Sequence, residues 1–189
     1  MVMPLLSIIG CELFKKEIAQ VLLKDGAIES LAIVNGKDAD LEKAFRGTGA
    51  RVRIISADSI PADLRKGKGF NVILTMQSVS PKSSSCKLSR EIYEKIRFYG
   101  NISDGILLLY GHGDSELKDV LSDLRRYKFR LKAVANCSGI SPGTSMLLCS
   151  GNKADKRSID QQVLSIYEKL YEDMKTELGM ADRSFSAKQ

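Results

Sequence analysis

Ile106-Leu107-Leu108-Leu109-Tyr110, followed at once by Gly111-His112-Gly113-Asp114, decides how this chain is read. The apolar run has the length of a buried strand, and it opens into a glycine-flanked polar turn. Leu117, Val120, Leu121 and Leu124 then recur at helical spacing. Strand, tight turn and helix start, in that order, form the place where an α/β protein usually holds its ligand. The turn also carries the single histidine of the 189-residue chain.

Working outward, the same alternation repeats. Leu5–Ile9 reads as a first strand ending at Gly10-Cys11-Glu12, followed by a helix carrying Leu13, Ile18, Val21 and Leu22 and stopped by Asp25-Gly26. Ser30–Val34 is a second strand closed by Asn35-Gly36. That dipeptide is also a hairpin signal, but a helical segment over Ala39–Arg46 separates it from the third strand, Arg51–Ile55. Pro61 fits the first turn of a short helix running to Lys66. Phe70–Met76 is the fourth strand, and Gln77–Ser85 is a polar stretch before a helix whose apolar stripe is Leu88, Ile92, Ile96 and Tyr99. Arg90, Glu91, Glu94 and Lys95 fall mostly off that stripe. Leu131–Ala135 is a sixth strand, ending at Asn136-Cys137-Ser138-Gly139, and Ser145–Cys149 is a strand or a short helix. Val163, Ile166, Leu170 and Met174 mark a long C-terminal helix over Ser158–Leu178.

Strands alternating with helices at this spacing predict a three-layer α/β/α doubly wound fold. Its sheet is mostly parallel, of the Rossmann-like or flavodoxin-like kind. No repeat or interior linker divides the chain. One domain over residues 1–179 is expected, with 180–189 as a flexible tail.

Composition sets outer bounds. A hydrophobic content of 43% with 28% charged residues is that of a globular chain. The net charge of +6 suits a small anionic ligand as well as it suits nucleic acid. The basic groups Arg65-Lys66-Gly67-Lys68 and Arg125–Lys132 read as solvated faces, and six Phe, six Tyr and no Trp are few for base stacking. Nucleic acid is therefore not the expected partner. No apolar run is long enough to span a membrane. Cys11, Cys86, Cys137 and Cys149 contain no C-x-x-C pair, so reduced thiols in a cytoplasmic protein are expected.

In a doubly wound sheet, ligands bind beyond the carboxyl ends of the strands. Those ends carry Gly10-Cys11-Glu12, Asn35-Gly36, Ser56-Ala57-Asp58, Gln77-Ser78, Gly111–Asp114 and Asn136-Cys137-Ser138. The expected ligand-binding set is Cys11, Gly111, His112, Gly113, Asp114 and Asn136. The glycines allow close backbone approach, and amides at the following helix start suit a phosphate or carboxylate. Asp114 or Ser115 as a plain helix N-cap is the competing reading. Cys11, His112 and Cys137 are also ligands that zinc accepts, with a fourth position left open; packing is the competing role for such isolated cysteines. Cys11 at a helix start, with His112 as base, could alternatively act as a thiolate nucleophile. The chain has no G-x-G-x-x-G after its first strand, no P-loop and no G-x-S-x-G elbow.

Ile8-Ile9-Gly10-Cys11-Glu12, Asp104–Gly111 and the helix holding Lys118–Asp123 together resemble an archaeal and bacterial family. It is numbered sixteen-thirty-eight among domains of unknown function, and the resemblance covers roughly residues 5–172. The family shows Tyr-Gly-x-Cys-Gly-Asn after its central strand; Tyr110-Gly111 match, whereas Gly113-Asp114-Ser115 stand where Cys-Gly-Asn would. The family's later Asp-Cys pair is missing around Pro142-Gly143-Thr144. The resemblance implies a role accessory to corrinoid-linked methyl transfer, as in methanogens. It implies either a corrinoid association or a methyl-transfer protein as partner. The expectations are a cytoplasmic protein binding a small anionic ligand or cofactor, a metal- or thiol-dependent enzyme, or a non-catalytic interaction subunit with a degenerate site, with a homodimer or a methyl-transfer protein as the partner.

Overall fold

The computed structural model describes residues 4–34, 39–45, 49–57, 60, 64, 69–78, 85–109, 130–133 and 153–180. Numbered among these, the strands are β1 (Leu5–Cys11), β2 (Ile28–Val34), β3 (Arg51–Ile55), β4 (Phe70–Gln77), β5 (Gly105–Leu109) and β6 (Arg130–Ala133). The helices are α1 (Lys15–Leu23), α2 (Ala39–Phe45), α3 (Ser85–Gly100) and α4 (Lys153–Glu177), with a short 3-10 turn over Glu12–Phe14. Of the element expected at Pro61–Lys66 only Leu64 is described, and it is buried; those expected at Leu117–Leu124 and Ser145–Cys149 lie outside the described residues.

The described strands form one sheet in the order β3-β2-β4-β1-β5-β6, and every pairing is parallel. Parallel pairing of β2 with β3 excludes a hairpin at Asn35-Gly36, since a two-residue turn joins only antiparallel strands. The central strands are buried along their whole length, which explains why their sequences run apolar without alternating. β3 lies at the sheet's edge, and it alone alternates arginine with apolar residues. Charge on an exposed edge discourages pairing with another chain.

Side-chain contacts assign the layers. A Cβ at Gly10 would lie 2.4 Å from Ile18 of α1, and one at Gly105 would lie 2.9 Å from Met174 of α4. Gly105 pairs with Leu6, two residues before Ile8 and four before Gly10, so α1 and α4 cover the same face. The opposite face belongs to α3: Thr75, in register with Ile9, meets the Tyr99 hydroxyl at 2.5 Å. Ser7 and Ser103 join their hydroxyls on that side at 2.6 Å. With helices on both faces of a parallel sheet, the fold is three-layer α/β/α and doubly wound. Its strand order exchanges β1 and β4 relative to the 3-2-1-4-5-6 dinucleotide-binding arrangement.

The long helix α4 ties the two ends of the described chain together. Tyr167 meets Phe14 edge-on at 6.0 Å and donates to the Leu109 carbonyl at 3.2 Å. One turn on, Tyr171 donates to Asp25 at 2.8 Å beneath Phe70. The helix ends in a Schellman motif: Gly179 has φ of 73°, its N–H donates to Thr176, and the Met180 N–H reaches Lys175. Met180 is itself buried, so packing extends one residue beyond the expected domain end at 179.

Candidate functional site at the β1–β4 switch point

The strand order settles which strand ends meet. From Cys11 the chain leaves β1 for α1 on one face; from Gln77 it leaves β4 toward α3 on the other. Cys11 and Gln77 are nevertheless paired neighbours in the sheet. Adjacent strands whose exits diverge to opposite faces leave a crevice between them, and this is where open α/β sheets bind ligands.

The groups at this crevice are polar and mutually engaged. Ser78 donates through Oγ to Glu12 Oε2 at 2.7 Å, bridging the two diverging exits. Both side chains are exposed. Behind them Gln77 is 8% exposed, and α3 holds its carboxamide from both sides. Gln77 Nε2 donates to Glu91 Oε2 at 2.7 Å, and Lys95 Nζ donates to Gln77 Oε1. Glu91 and Lys95 stand four apart on one helix face, so a single α3 surface reads the donor and the acceptor end of the amide. Burial holds the Lys95 ammonium below its ordinary range, with the Glu91 carboxylate partly opposing the shift. Deeper in the same layer, burial raises the Tyr99 phenol while its bond to Thr75 works against that.

Cys11 belongs to the buried core. It is 3% exposed and ends β1 in extended geometry, with φ of −83° and ψ of 132°. The 3-10 turn Glu12–Phe14 stands between it and α1, so the thiol precedes the α-helix by a full turn. A thiol this buried has the surroundings of a packing cysteine.

Of the residues expected from sequence to bind a ligand, Cys11 is placed by the structure. Gly111, His112, Gly113, Asp114 and Asn136 lie outside the described residues, as does Cys137 of the expected metal set. Leu109, at the end of β5, is in register with Gly10 near the end of β1. Among the described residues no group of three or more His, Cys, Asp or Glu side chains is arranged to hold a metal. Also among them, no helix is long and apolar enough to cross a membrane.

Glu12, Gln77 and Ser78 were visible as strand ends, but nothing local distinguished them from the other strand ends. Glu91 and Lys95 look like solvated helix charges, because they flank the buried stripe of Ile92, Ile96 and Tyr99 instead of lying on it. Only a fold that brings β4's polar end under α3 turns them inward. Comparison with protein-family models, curated proteins and solved structures finds no match to this chain.

Proposed function

We propose that the protein binds a small anionic ligand or cofactor at the carboxyl edge of its sheet, in the crevice between β1 and β4. The observation that carries this reading is the divergence of the two chain exits at Cys11 and Gln77, bridged by the Ser78–Glu12 hydrogen bond. Ser78 offers a hydroxyl at the mouth, and Lys95 brings a cation to the α3 side of the same strand end through Gln77. The net charge of +6 and the glycine-flanked turn that follows β5 favour an anion over a neutral ligand. The family resemblance would set such a ligand within corrinoid-linked one-carbon metabolism.

Native mass spectrometry of freshly purified protein tests the reading, with Glu12→Gln/Ser78→Ala as the comparison. A stoichiometric mass excess on the parent chain, lost in the folded double variant, is the expected result. An adduct retained unchanged by the variant would place the ligand elsewhere, and a bare parent chain would count against a resident cofactor.

A further inference from the structure

Glu12 places an acid where the two strand exits diverge, in a chain whose net charge is +6. Among the described residues no lysine or arginine pairs with it; its partner there is the Ser78 hydroxyl at 2.7 Å. Other described carboxylates meet cations: Glu168 meets Lys24, Glu94 meets Arg90, and Asp25 meets Lys175. A hydroxyl donor satisfies one oxygen of Glu12 and leaves its negative charge uncompensated. The sheet sets this contact, since Glu12 and Ser78 each follow one of the paired residues Cys11 and Gln77. Both side chains are exposed, so a ligand can reach them. A bare anion arriving at the Ser78 hydroxyl must displace this bond and then lie beside a like charge. An anion that carries an ammonium meets the pair differently. Its anionic end accepts from Ser78, and its ammonium donates to the carboxylate that Ser78 has released.

We infer that the Ser78–Glu12 pair selects a small zwitterion, an anionic group with an ammonium close by, and that Glu12 is the residue that sets this selectivity. The inference rests on the placement of the ligand site proposed above and names the chemistry of its occupant. Because the two side chains touch, the two charges of the ligand must also lie near each other. Ser78 moves its hydrogen bond from Glu12 to the ligand's anionic group, and Glu12 exchanges a hydroxyl partner for a cation. No covalent bond changes. At an exposed site, one pair of unit charges at contact distance in water changes affinity by about fivefold at low salt. That factor disfavours the bare anion and favours the zwitterion.

The test is titration calorimetry of the full chain at low salt with phosphoethanolamine and with ethyl phosphate, two probes that differ by the ammonium. Phosphoethanolamine should bind about fivefold more tightly. Glu12→Gln keeps an acceptor for the Ser78 hydroxyl and removes the charge. It should erase the preference, tightening ethyl phosphate and weakening phosphoethanolamine, and salt should erase it on the parent chain as well. Equal affinities on the parent chain, or a preference that survives in folded Glu12→Gln, overturn the inference. Ser78→Ala should weaken both probes together. The two readings separate cleanly. Equal binding of both probes, lost in Ser78→Ala, keeps the anion site and discards the selectivity, whereas binding of neither probe removes both.

Discussion

Lys175 and Asp25, from opposite ends of the chain, form an ion pair at 2.9 Å with both side chains 3% exposed. The carboxylate is fully used: its Oδ2 also accepts from Tyr171, while its Oδ1 accepts from the Ala27 N–H in the turn that ends α1. The lysine lies over the Tyr171 ring at 5.5 Å. This cluster fixes α4 against the turn entering β2, at the sheet's amino edge and away from the candidate site. Burial of both charges makes the pair costly to break from one side.

Lys175→Met should therefore destabilise the fold by about 3–5 kcal/mol, because it leaves Asp25 buried without its cation. Urea denaturation followed by circular dichroism reads the change. A loss below about 1 kcal/mol, the range of an exposed pair, would show that the cluster opens to water.

Gly10 is the tightest glycine of the sheet. A side chain there meets Ile18 at 2.4 Å and the Met76 sulfur at 3.2 Å. The nearest atom is the tip of a flexible side chain, so Gly10→Ala should cost about 1–3 kcal/mol and Gly10→Val more. Gly26 has nothing within 4 Å, and Gly26→Ala is the matched control. Equal thermal shifts for Gly10→Ala and Gly26→Ala would refute the close approach of α1 to β1.

The Thr75–Tyr99 hydroxyl pair is buried where α3 meets β4. Thr75→Val keeps the shape and removes one partner, leaving the Tyr99 hydroxyl unsatisfied at a cost of about 1–3 kcal/mol. The double variant Thr75→Val/Tyr99→Phe should recover part of that loss. A double-mutant cycle with no coupling would mean the hydroxyls do not depend on each other.

Stability should rise and then fall with alkaline pH. Lys95 is held below 10.5 in the fold, so between its folded and unfolded values the unfolded chain binds more protons and stability increases with pH. The tyrosines act in the other direction. Burial raises Tyr99, Tyr167 and Tyr171 above 10.0, so beyond that pH the unfolded chain ionises first and stability is lost. Denaturant midpoints measured from pH 8 upward should show the turnover, and Lys95→Met should remove the rising limb. A rising limb that survives the substitution would assign it to another group.

The helices and strands were legible because burial leaves a mark on sequence that needs no knowledge of neighbours. β3 matches its expected span at Arg51–Ile55, and β4 exceeds its own by Gln77 alone. α4 begins at Lys153, ahead of the expected Ser158, because its opening turns carry charge instead of the apolar stripe that marks the rest. Parallel pairing followed from the alternation of elements. The order of strands did not, since the apolar run of a buried strand looks the same whichever strands lie beside it.

That difference decides the site. Sequence alone determined a parallel sheet between helices, the strand-end segments that could face a ligand, and the placing of Cys11 among them. It weighted the turn after Tyr110, where glycines and the histidine make a local signal. Tertiary structure decided that β4 lies beside β1, which puts Ser78 against Glu12 and turns Lys95 and Glu91 onto Gln77. The physical reason is separation along the chain. A hydrophobic face is written every second or fourth residue, but contacts between Glu12 and a strand end 66 positions away depend on packing of the whole sheet.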